Sequence, residues 1–227
     1  MINAKRSIEA CAAFYGDDSK DMKNYLLEGE KAALAMNNRG PISFDAQGNL
    51  AASIRNAYSE NGFYIFEGVL NKDELDDIKV DLDKMRSNFP IHPESSVDIN
   101  GEPALGVDSK ALTLVWSKPL GDPLGGTDLA NGRHQIKMFE PKAAEDSPVA
   151  SPFILLGSLQ FSEACLRTYA HPELLKVAES INGKDFAPFN EALFIKEPGI
   201  GAAVSWHQDG VTHWDSENFD EDIHGFN

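Results

Sequence analysis

His207-Gln208-Asp209 is the strongest chemical signal in the chain. On an extended backbone alternate residues point to the same side, so this imidazole and carboxylate converge on one point. Non-haem iron(II) is held by two histidines and one carboxylate on one face, with positions left open for a co-substrate and oxygen. The pair supplies two of those three ligands. An H-x-D recurs by chance, so its neighbours decide its weight. It follows a strand expected at Phe189 to Lys196 and a turn at Pro198 to Gly201, and Trp206 and Trp214 are placed to wall it from water. His213 keeps the alternate parity with Asp209 and reads as a pocket group behind the ligands. His224, in an acidic loop, reads as a surface residue. His92, His134 and His171 have no partner at ligand spacing and read as polar or capping residues. The acids Asp215, Glu217, Asp220, Glu221 and Asp222 lack the glycine and spacing of a calcium loop.

The elements that must position this pair are legible from periodicity. Residues 18–37 read as a helix, with Met22, Tyr25, Leu26, Ala33 and Met36 on one face and Arg39-Gly40-Pro41 as its stop. A second helix carries Leu50, Ile54, Ala57 and Tyr58, with Asn49 as its cap and Gly62 in the left-handed position that ends it. Phe63 to Phe66 reads as a short buried strand. Asn71-x-x-Glu74 is a capping-box pattern, followed by Leu75, Ile78, Leu82 and Met85 at spacings of three and four. The acids Asp73, Glu74, Asp76 and Asp77 at its start suit the helix dipole better than a metal.

Residues 90–131 are rich in Pro and Gly around one apolar run, Leu112 to Trp116; so long a connection is expected to cover substrate. Gly125-Gly126 follows no expected strand and reads as a turn, not a phosphate loop. His134 to Phe139 reads as a strand with Gln135, Lys137 and Phe139 on one face. Helices are expected at 158–169 and 172–182, with Pro172 at a first helical position and Gly183 as the stop. Lys196 reads as a strand-end charge.

Composition bounds the partners. The 227 residues are 42% hydrophobic and 25% charged, enough for a sizeable core. A net charge of −16 repels phosphate backbones and anionic lipid, so neither nucleic acid nor a membrane is an expected partner. A highly anionic substrate is disfavoured for the same reason. Cys11 and Cys165 form no CxxC, the N-terminus has no uninterrupted apolar core, and no stretch approaches a membrane span. A cytoplasmic protein is expected.

Two stretches carry a resemblance. FIKEPGIGAAVSWHQDGVTHWD resembles the phytanoyl-CoA dioxygenase family, whose pattern is a strand ending in Lys and Pro, a Gly-containing turn, then W-H-x-D. AYSENGFYIFEGVLNKDELDDIKVDLDKM is similar to that family's opening of helix, G-[FY] strand, G-V-L step and acidic helix. The resemblance implies a mainly β domain with flanking helices, a double-stranded β-helix or cupin-like jelly roll. That domain is expected over residues 46–227, after an N-terminal helical extension at 1–45. It implies iron(II) at His207 and Asp209, 2-oxoglutarate as co-substrate with ascorbate as a supporting reductant, and hydroxylation of a small organic substrate with release of succinate and CO2. Lys137 and Gln135 fall on a strand where the family has a co-substrate contact. Asp209 favours hydroxylation, since halogenating relatives carry a small residue in its place.

The family's third ligand is a later His, followed by a basic residue that grips 2-oxoglutarate. Asn227 ends the chain 18 residues after Asp209. Strands run about 5–6 residues, so the remainder cannot finish a jelly roll. The expectation is a chain truncated before that His and inactive alone, with the jelly roll incomplete at its C-terminus. Two alternatives stand beside it: a non-catalytic jelly-roll binding protein, and a cupin-like enzyme with another metal, since two ligands do not choose among iron, manganese and zinc. The substrate and the oligomeric state are not encoded in any recognisable pattern.

Overall fold

Local capping and a few apolar runs account for most of the elements in the computed structural model, which describes residues 16–125, 142–188 and 191–207. The chain forms two compact units, Met1–Val69 and Leu70–Asn227.

In the first unit a 3-10 turn, Gly16–Asp18, leads into α1, Ser19–Ala35, which has no buried residue. Strand β1, Arg39–Gly40, pairs in parallel with β2, Ile65–Phe66. Helix α2, Ala52–Asn61, buries Ile54 and Ala57, beside buried Leu50. Gly62 ends it at φ +79°, where a side chain is strained, and its N–H reaches the Tyr58 carbonyl at 2.7 Å. The expected cap is corrected: Ala51, not Asn49, occupies the N-cap. Asn49 instead gives its backbone N–H to Asp45 Oδ1 at 2.9 Å, closing a turn and holding the Asp45 carboxyl below its ordinary value. The strand expected at 63–66 shrinks to two residues, and Ile65 is 40% exposed where a buried strand was expected.

The second unit opens with α3, Lys72–Ser87. Its capping box is complete: the Asn71 side chain accepts from Asp73 N and Glu74 N, and Glu74 Oε2 accepts from Asn71 N at 2.8 Å. Asp73 and Glu74 lie in its first turn as expected, whereas Asp76 pairs with Lys72 and Lys79 and Asp77 with distant Arg167. Only Met85 of α3 is fully buried. It packs with Leu114 and Leu155, bordered by Trp116, Phe161 and Cys165.

Those partners belong to a three-stranded antiparallel sheet, β3 (Leu114–Ser117), β4 (Ser151–Leu156) and β5 (Ala192–Phe194), with β4 in the middle. Helix α4, Glu163–Tyr169, and α5, Pro172–Asn182, follow β4. The helix expected over 158–169 is split by a 3-10 turn, Ser158–Gln160, and restarts under a Ser162 cap that accepts from Cys165 N. A second apolar cluster, Phe153, Ile154 and Ala202, joins the sheet to the segment after β5.

The expectation of a mainly β fold is corrected. Among the described residues the α-helices run from 7 to 17 residues and the strands from 2 to 6. Segments with helical period dominate residues 16–87, and only three short apolar runs build the larger sheet. A complete double-stranded β-helix is not present among the described residues.

Candidate metal centre

The chain reaches His207 through a turn that is fastened on several sides. Glu197 carbonyl accepts from Ile200 N at 3.2 Å and Gly201 N at 2.8 Å, with Gly199 at φ +81° between them. Gly201 is required by space: a Cβ there would lie 3.0 Å from the Glu197 backbone. Lys196 Nζ donates to the Ala202 carbonyl, tying the two arms of the turn, and stands 5.9 Å from the Phe153 ring centre, within cation–π reach. Leu120 N donates to Ile200 O at 2.9 Å and Ala203 N to Gly121 O at 2.7 Å, so the segment runs against the loop leaving β3. Buried Ala202 sits beside Phe153 in the apolar cluster. The Glu197 carboxylate, 17% exposed, takes an ion pair from Arg86 Nη2 at 2.5 Å.

At the end of this segment the His207 ring is exposed, with Nδ1 2.8 Å from the Ser205 carbonyl oxygen. A carbonyl can only accept, so Nδ1 carries the proton and the lone pair of the neutral ring is on Nε2. That is the tautomer of a metal-ligating histidine whose other nitrogen is held by backbone. The ring chemistry therefore fits a divalent metal.

The other expected site residues fall differently. Asp209, Gln135, Lys137, His213, His224, His134 and Trp214 lie outside the described residues. Trp206 is 94% exposed, so it does not wall the His207 ring as expected. His92 lies 3.3 Å from Glu94 on the surface. His171 holds the N-cap position of α5 without a side-chain cap bond, and its buried Nδ1 has no hydrogen-bond partner. Among the described residues no group of three His, Cys, Asp or Glu side chains is placed to hold a metal ion. None of their helices is long and apolar enough to cross a membrane.

Sequence reasoning missed the bracing. Lys196, taken as a strand-end charge, is bonded across the turn. Arg86 and Glu197 meet from distant segments, and no local pattern announces such a pair.

A family model described as phytanoyl-CoA dioxygenase matches residues 58–221, a span that contains His207 and Asp209. The chain belongs to the phytanoyl-CoA dioxygenase family, whose members are generally dependent on iron(II) and 2-oxoglutarate. Searches of curated proteins and of solved structures returned no match.

Proposed function

We propose that the protein is an iron(II)- and 2-oxoglutarate-dependent dioxygenase that hydroxylates a small organic substrate, releasing succinate and CO2. The observation that carries this reading is the His207 ring, held by Ser205 in the Nε2 ligand tautomer at the end of a braced turn, inside the family match. His207 and Asp209 would hold the iron. When bound, iron(II) with 2-oxoglutarate supplies oxygen activation for attack on an unactivated C–H bond. The chain's own contribution is orientation and exclusion of side reactions. Ser205 O keeps the His207 proton on Nδ1, which prevents the ring from turning its N–H toward the metal. Lys137 and Gln135 are proposed to contact the co-substrate, and the Pro/Gly-rich connection to cover the substrate. The carboxylate at Asp209 favours hydroxylation over halogenation. The catalytic domain is read as residues 46–227, a span that contains the family match.

The test is anaerobic reconstitution of the protein expressed from its complete reading frame with iron(II), ascorbate and 2-oxoglutarate, followed by succinate measurement on admission of air. Wild type is expected to form succinate and to retain about one iron per chain. His207→Ala and Asp209→Ala are each expected to lose metal affinity by at least about tenfold. Iron retention and succinate formation unaffected by both substitutions would overturn the assignment of the ligands. Retention of zinc or manganese in preference to iron would move the protein to a different metal chemistry.

A further inference from the structure

Helix α3 and the turn after β5 are joined by the Arg86–Glu197 ion pair, at the start of the segment that leads to His207. Met85 is 2% exposed and anchors the last turn of α3 on Leu114 and Leu155. The next residue, Arg86, is thereby fixed at its backbone while its guanidinium reaches Glu197 at 2.5 Å. Glu197 is the residue whose carbonyl closes the turn onto Ile200 and Gly201. From there the chain has little freedom. Gly201 is in close approach to Glu197, Ala202 is buried, Ala203 N is bonded to Gly121, and Ser205 O holds His207 Nδ1.

We propose that Arg86 and Glu197 are a positioning pair: their ion pair sets the turn that presents His207 in its ligand tautomer. The proposal rests on the iron reading of His207, and it makes α3 part of the metal centre's support. The contact is one Nη2–Oε1 ion pair, with the Arg86 side chain 62% exposed and that of Glu197 17%, so it tethers the turn to the end of α3 by charge. Because the Glu197 side chain is mostly buried, losing Arg86 leaves a carboxylate short of its partner, and the turn shifts to rehydrate it. The displacement passes along the bonded segment to Ser205 and frees the imidazole to exchange tautomers.

The experiment uses the full-length chain as Glu197→Gln, Arg86→Glu, Glu197→Arg and the double swap R86E/E197R. The first readout is metal-free: 15N shifts of the His207 ring and hydrogen exchange at the Gly201 and Ala203 amides. Wild type is expected to hold the Nδ1–H tautomer and to protect both amides. Each single variant is expected to mix the tautomers and exchange faster, and the double swap to recover both. The second readout is titration with cobalt(II) followed by its visible absorption, with His207→Ala as control. Single variants are expected to bind about tenfold more weakly and the double swap to regain most of the loss. Ring shifts and amide exchange unchanged in the single variants, or no recovery in the double swap, would overturn the proposal. If cobalt(II) binding is absent in wild type or indifferent to His207→Ala, the metal reading fails by itself. The ring and amide data then still decide whether the pair positions this segment.

Discussion

Helices α1 and α3 are nearly the same length, 17 and 16 residues, and both show apolar residues at helical spacing, yet they are held by different means. Helix α1 has Asp18 at its N-cap with no side-chain bond, no basic residue in its last turn and no buried residue. Tyr25, Leu27 and Leu34 stand in solvent. Helix α3 has a complete capping box, acids in its first turn, Lys84 and Arg86 in its last, and Met85 in the core. It is also tied to α4 and its cap. Asp81 receives Ser162 Oγ at 2.7 Å and Ala164 N at 3.1 Å, and Asp77 pairs with Arg167 at 2.9 Å. The difference teaches that helical period alone does not locate the core. Polar side chains with distant partners do, and the helix that has them is also the one that reaches the His207 turn.

The largest break in this comparison should come from Met85→Ala. It empties the point where α3 meets Leu114 and Leu155, and large-to-small changes at such sites cost about 2–4 kcal/mol. Leu34→Ala on exposed α1 should stay within about 0.5 kcal/mol. Urea titrations followed by tryptophan fluorescence would report the first change, since Trp116 packs on the same cluster. Equal effects of the two substitutions would mean that α1 is buried in solution and that the contrast is false.

Asp81 gives a smaller effect with a pH signature. Its carboxyl is held below the ordinary value of 3.8, first by the Ser162 hydroxyl and then by the Ala164 N–H. The folded value is the depressed one, so the stabilisation is fully present above the unfolded value. It begins to fade as pH falls toward 3.8 and is gone below the folded value. Asp81→Asn should therefore cost about 1 kcal/mol at neutral pH and converge on wild type in acid. Asp76 is also held low, by Lys72 and then Lys79, but in exposed pairs. Salt should erase the Asp76 contribution and spare most of the Asp81 one. A wild-type advantage over Asp81→Asn that persists unchanged below pH 3 would contradict the assigned role.

These residues also mark what the sequence could disclose. The α3 capping box, the Gly62 stop and Pro172 at the start of α5 were legible because each acts within a few residues of itself. The central strand β4 was not expected at all. Pro152 argues against a central strand, but here it faces Trp116 where the register shifts, a place where a missing N–H is tolerated. Asn49 looked like a cap until Asp45 proved to be its partner. His207 was named from the H-x-D pattern, and its tautomer required the Ser205 carbonyl, which only folding brings into place. The ties that brace its turn join residues far apart in sequence, and no spacing rule reaches them.

The smallest prediction tests α1 through its glycine. Gly29 sits in the helix interior without a positive φ, and a Cβ added there would meet nothing within 4 Å. Alanine at this position restricts the unfolded chain and suits the helix, a gain of about 0.5–1 kcal/mol of local stability. Gly62 has equally open space but lies at φ +79°, so Gly62→Ala should cost about 1 kcal/mol instead. Amide exchange along α1 and α2 reads both. With no buried residue to hold it, α1 depends on propensity, so its amides should slow several-fold in Gly29→Ala. Unchanged exchange would show that contacts, not propensity, already hold α1, and its likeness to α3 would then be greater than its exposed face implies.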